Sequence, residues 1–153
     1  MSLAAAKSVV PTNGVAVISI YDSSTARDLP TFSGFFRVLR VNMLDVCEDY
    51  APKRPVVWAD EPSPEQHFEY CDETPNNSAP SLSHARAIRT FVDEIHARTE
   101  ELDLVVHCSQ GVSRSAAVAW WTGKYLGFIP RDGAGVGLDD ANPRIKRLLS
   151  SLD

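Results

Sequence analysis

The chain has 153 residues, the length of one ordinary domain with a real hydrophobic core and little room for a second. Hydrophobic residues make up 44% and charged residues 23%, which argues against a disordered or fibrous chain, and a net charge of −5 excludes an overall basic field for nucleic acid or an anionic membrane. Apolar runs such as "VAVISI" are too short to span a bilayer, and "MSLAAAKSVV" lacks the long apolar core of a secretory signal, so a cytoplasmic protein is expected.

"GVAVISIY", Gly14 to Tyr21, follows a Pro-Thr-Asn-Gly turn signal and reads as a buried strand. Asp22 to Gly34 is polar and punctuated by proline and glycine, and "FFRVLRVNM" resumes as a second strand. From Cys47 to Pro80, six prolines and several acids leave no sustained period, which predicts a long loop insertion. Leu82, Ala85, Ile88, Phe91, Val92 and Ile95 recur at spacings of three and four, so an amphipathic helix starts near Ser81 or Ser83.

"LDLVVH" is a continuous apolar run suited to a strand buried on both faces. A helix over "SRSAAVAWWTGKYLG" follows, with Gly127 as its stop, then a glycine-rich loop and a closing helix in "NPRIKRLLSSL" with Asn142 as N-cap and Pro143 at its first position. No internal repeat is visible. The alternation predicts a single α/β domain over the whole chain, with a core of about residues 14–152 and a mainly parallel central sheet flanked by helices. In such a sheet the ligand crevice lies at the carboxyl ends of the strands, where Cys108 falls.

The cysteines Cys47, Cys71 and Cys108 are odd in number, with no CxxC pair and no zinc-ligand spacing, so reduced thiols are expected rather than a disulfide framework. Cys108 opens a loop between a strand and a helix start, where backbone N–H groups and the helix dipole make a concavity for a tetrahedral oxyanion. Gly111 lets this loop curl, and the planar fork of Arg114 suits two phosphate oxygens in a way lysine does not. The same positive surroundings favour a thiolate at Cys108, a nucleophile toward phosphorus that needs neither metal nor cofactor. Each residue also has a plainer reading: Cys108 as core filler, Arg114 as a surface helix residue, Gly111 as an ordinary turn. Together, in this order and between a strand and a helix, they favour the chemical reading.

"HCSQGVSRS" resembles the active-site signature of the cysteine-dependent protein tyrosine phosphatase superfamily, His-Cys-x5-Arg-Ser/Thr, and its Gly-x-Ser-Arg-Ser ending looks like the dual-specificity branch. The resemblance implies a phosphatase-like α/β fold, Cys108 as nucleophile and Arg114 as phosphate clamp. It makes Ser109, Gln110, Gly111, Val112 and Ser113 the phosphate-binding loop. His107 would tune the thiolate, and Ser115 would assist breakdown of the phosphoenzyme. The larger tyrosine-specific enzymes end the motif in Gly-Arg-Thr-Gly on longer domains, which this chain does not match. Phosphoinositide phosphatases often carry lysines in the loop; their absence from Ser109 to Ser113 argues against a highly charged inositol substrate. The resemblance runs more loosely from Val15 to Leu149, and "ANPRIKRLL" looks like the final helix of small bacterial and phage-type members.

A phosphatase of this type needs a general acid for the leaving oxygen and then a base for water. In the family one aspartate does both, after the strand that precedes the long helix. "VLRVNMLDV" resembles that strand and loop, which favours Asp45. Asp72 is the rival, at a separation from Cys108 closer to the family's usual one, Asp60 is third, and a solvated loop role is the plain alternative for each. In the insertion, Trp58, His67, Phe68 and Tyr70 either wall the pocket or serve only loop packing, and Cys47 or Cys71 is either a resolving thiol for oxidised Cys108 or an inert one. The expected partner is a phosphorylated protein or peptide carrying phosphotyrosine, with phosphoserine and phosphothreonine as further substrates. Two rival readings stand beside it: a thiol-dependent arsenate reductase, and a phosphate-binding module without a working acid.

Overall fold

The seven residues of "VAVISIY" combine branched side chains with no polar break longer than one residue, and in the computed structural model they form the central strand β1, Val15–Tyr21. Residues 1–47, 79–98, 101–129 and 138–152 are described. β2, Arg37–Asn42, and β3, Asp103–His107, flank β1 in the order β2-β1-β3, and both pairings are parallel. Ile18 stands opposite Leu39 on one side and Val106 on the other. All three strands therefore end at the same edge of the sheet, at Tyr21, Asn42 and His107.

Ala16, Ile18 and Ile20 point to the face covered by helices, where they meet Ile88 and Val92 of α2, Leu82–His96, Trp121 of α3, Arg114–Leu126, and Leu149 of α4, Pro143–Ser150. Val17, Ser19 and Tyr21 face the other side and are equally buried, so β1 is covered on both faces. There Phe32, from the loop between β1 and β2, lies against the His107 ring with centroids 5.3 Å apart. Among the described residues no helix is long and apolar enough to cross a membrane.

Local chemistry sets the helix ends. Ser81 caps α2 in a reciprocal box with His84, settling the choice between Ser81 and Ser83. Gly127 ends α3 at φ +69, a left-handed conformation that glycine adopts freely. Asn142 caps α4 by accepting from the Ile145 amide at 3.1 Å. Ser113 precedes α3 but makes no side-chain cap bond, because its hydroxyl is engaged elsewhere.

The start of the chain departs from expectation. Leu3–Ala6 forms a one-turn helix, α1, and Ser2 makes a parallel bridge to Cys108. Nothing in the pattern of "MSLAAAKSVV" predicts an element. Trp58, Asp60, His67, Phe68, Tyr70, Cys71 and Asp72 lie outside the described residues, as does most of the expected insertion.

Trp121 is fully buried between α3 and the sheet core. Trp121→Ala is expected to lower the unfolding free energy by about 3–5 kcal/mol in urea titrations. A loss below about 1 kcal/mol would mean that α3 contributes little to the core.

Candidate active site

The parallel topology brings three chain segments to one place: Asp22 after β1, Met43 to Asp45 after β2, and Cys108 after β3, facing the start of α3. Gly111 turns the 108–113 loop at φ +86, and a Cβ there would lie 2.5 Å from the Met1 carbonyl carbon and the Ser2 nitrogen. Both the conformation and the close approach require glycine. The Cys108 amide donates to the Met1 carbonyl, the Leu3 amide to the Ser109 carbonyl, and the Met1 amino group to the Val106 carbonyl at 2.7 Å. The lead-in to α1 thus braces the loop from outside.

Inside the loop, the Gly111 amide donates to Cys108 Sγ at 3.2 Å, and Ser115 Oγ lies 3.3 Å from the same sulfur. Burial alone pushes the Cys108 thiol up. The Ser115 hydroxyl and amide, the Arg114 charge and the Gly111 amide outweigh it and hold the thiol below its usual range. Cys108 is buried, as core filler would be, yet its partners are polar donors. His107 is fully buried, and among the described residues neither ring nitrogen has a hydrogen-bond partner. Burial pushes it down to about 4, opposed by the Cys108 backbone and assisted by the Met1 and Arg114 charges, so it is neutral at physiological pH.

Arg114 is the most connected side chain of the site, and only 4% of it is exposed. Nη1 donates to Asp22 Oδ2 at 3.1 Å and to the Met43 carbonyl at 2.8 Å, and Nη2 donates to Ser109 Oγ at 3.0 Å. Nε is buried with no hydrogen-bond partner among the described residues; Asp45 Oδ2 stands 3.8 Å away. The surface-helix reading of Arg114 is thereby excluded.

Asp45 is brought to the site, with its two oxygens differently employed. Oδ1 accepts from Ser113 Oγ at 2.6 Å and from Asn142 Nδ2 at 2.9 Å, while Oδ2 faces Arg114. Asn142 also donates to the Val46 carbonyl at 3.2 Å, and its amide donates to the Ser113 carbonyl. One residue therefore caps α4, grips the Asp45 turn and joins both to the loop. In the sequence Asn142 is legible only as the cap.

Asp22 is a site residue that the sequence expectations do not include; its one signal is its place immediately after a central parallel strand. Of the other loop residues, Gln110 and Val112 are exposed at the rim. Cys47 and Cys108 are free thiols, and among the described residues no group of three or more His, Cys, Asp or Glu is placed to hold a metal ion. No family model, curated protein or solved structure matches the chain.

The geometry combines a thiol held toward its ionised form, a buried guanidinium with an unused donor, and a carboxylate anchored by one oxygen. It suits an oxyanion and a nucleophilic attack upon it. The midpoint of the pH profile for Cys108 alkylation by iodoacetamide is expected below about 8.5, the ordinary thiol value, and higher in Ser115→Ala than in the unchanged protein. Coincident profiles for the two proteins would refute the Ser115 contribution.

Proposed function

We propose that this chain is a cysteine-dependent phosphomonoester hydrolase with a fold and mechanism of the protein tyrosine phosphatase type, similar to the dual-specificity branch. The observation that carries the reading is the Arg114 Nε–H, buried with no hydrogen-bond partner among the described residues, beside a thiol whose pKa is depressed. A buried donor left unpaired costs free energy, and a phosphoryl oxygen satisfies it.

In the proposed reaction the Cys108 thiolate attacks phosphorus, forming the S–P bond as the ester P–O bond breaks. Asp45 supplies the leaving oxygen's proton. Because Oδ1 accepts two hydrogen bonds, the proton resides on Oδ2, the oxygen turned toward Arg114. Water then attacks the phosphocysteine, giving a proton to the Asp45 carboxylate while the S–P bond breaks. The Ser115 hydroxyl, already near Sγ, stabilises the departing thiolate. Phosphotyrosine in a protein or peptide is the preferred substrate, with phosphoserine and phosphothreonine also accepted. Free thiols at Cys47 and Cys108 accord with a reducing cytoplasm.

Hydrolysis of para-nitrophenyl phosphate with EDTA present, over about pH 5 to 8, tests the proposal, since catalytic pKa values lie near working pH. Metal-independent release that disappears in Cys108→Ser is the expected result. Phosphate binding without release would favour a non-catalytic module, and arsenate-dependent oxidation of a thiol reductant would favour an arsenate reductase.

The acid is tested by leaving group. Asp45→Asn is expected to lose roughly 10²–10⁴-fold on phenyl phosphate, whose leaving group needs a proton, and far less on para-nitrophenyl phosphate. Equal losses on both esters would remove Asp45 from the role and return attention to Asp72.

A further inference from the structure

We infer that Asp22 is a positioning residue that holds the Arg114 fork in its oxyanion-binding orientation. This rests on the reading of the 108–113 loop as an oxyanion cradle and adds to it a carboxylate from outside the loop. Asp22 is the first residue after β1 and is buried. Its Oδ1 accepts from the Ser24 amide at 2.9 Å and from the Ser24 hydroxyl, which sets the carboxylate against its own turn. Its Oδ2 accepts from Arg114 Nη1 at 3.1 Å.

With Nη1 also on the Met43 carbonyl and Nη2 on Ser109 Oγ, the hydrogens left over are Nε–H and one on Nη2. Nε and Nη2 share one edge of the planar fork, the edge that presents donors to two oxygens of a tetrahedral anion. Burial raises the Asp22 carboxyl, but the Ser24 bonds and the Arg114 charge outweigh it and keep the group below the usual carboxylate range, ionised at neutral pH.

Two effects of Asp22 on an incoming anion oppose each other. Its charge repels the anion, whereas its bond orients the donor. Orientation decides, because Arg114 is almost wholly buried and, among the described residues, the other carboxylate within its reach is Asp45, on the ligand edge. Without Asp22 the guanidinium turns to Asp45 and closes the edge that the anion needs.

The test is calorimetric titration of the full chain with inorganic sulfate at neutral pH, together with the pH profile of Cys108 alkylation. Asp22→Asn is expected to weaken sulfate binding roughly tenfold, the scale of one charge-assisted hydrogen bond. Asp22→Glu should recover part of the loss. The alkylation midpoint should stay or fall, since a negative charge is removed while the Ser115 and Gly111 contacts persist. A weakened affinity with a raised midpoint would overturn the inference, because general loosening of the loop does that. Unchanged or tighter sulfate binding would overturn it as well.

If Asp22→Asn does not fold, Ser24→Ala loosens the same carboxylate at an exposed position, and a roughly threefold loss is expected. Absence of sulfate binding by the unchanged protein would remove the cradle and the inference together. Sulfate binding with the expected Asp22 dependence but no Cys108-dependent turnover would leave the inference standing and sink the phosphatase reading alone.

Discussion

A guanidinium withdrawn from water must find acceptors for its five hydrogens, and in this protein the acceptors for Arg114 come from the ends of all three strands. Asp22 closes β1, Met43 follows β2, and Ser109 follows β3. Parallel pairing is what makes this convergence geometrically available, because only then do the three carboxyl ends share one edge. The sheet register and the site are thus one constraint: a shift of any strand by a residue would withdraw a partner from the buried charge. What remains after these bonds is the Nε–H and one hydrogen on Nη2, and the proposed chemistry follows from that remainder.

The thiol illustrates how opposing terms are settled locally. Burial disfavours a thiolate, and Cys108 is buried. Short-range donors from Ser115 and Gly111 and the nearby cation reverse the sign, a result that depends on the loop holding its shape. That shape rests on Gly111, whose missing Cβ lets the Met1–Ser2 backbone pass, and on the carbonyl of Met1, which takes the Cys108 amide. Rigidity of the loop and chemistry of the sulfur therefore have the same source.

Much of this was legible in the sequence. The β-branched runs marked β1 and β3, the spacing from Leu82 to Ile95 marked α2, and Asn142-Pro143 marked the start of α4. Cys108, Gly111 and Arg114 were recognisable because chemistry and backbone geometry constrain those residue types at that spacing. Asp22 was not, since its burial is set by an arginine 92 residues away and nothing in "DSSTARD" distinguishes it from a solvated aspartate. The brace from Met1 to Leu3 was equally silent, being made by backbone atoms, which every sequence has. Asn142 was read for its local role, while its grip on Asp45, 97 residues distant, is a tertiary fact.

The central claim is that Cys108 carries the phosphoryl group during turnover. Acid quenching of Ser115→Ala protein during hydrolysis of para-nitrophenyl phosphate, followed by peptide mass spectrometry, tests it most directly, because loss of the Ser115 hydroxyl slows departure of the thiolate and lets the intermediate accumulate. The account predicts the mass of one phosphoryl group on the peptide containing Cys108, and on no other. Turnover without that adduct, or with the phosphoryl group on a different residue, would contradict it.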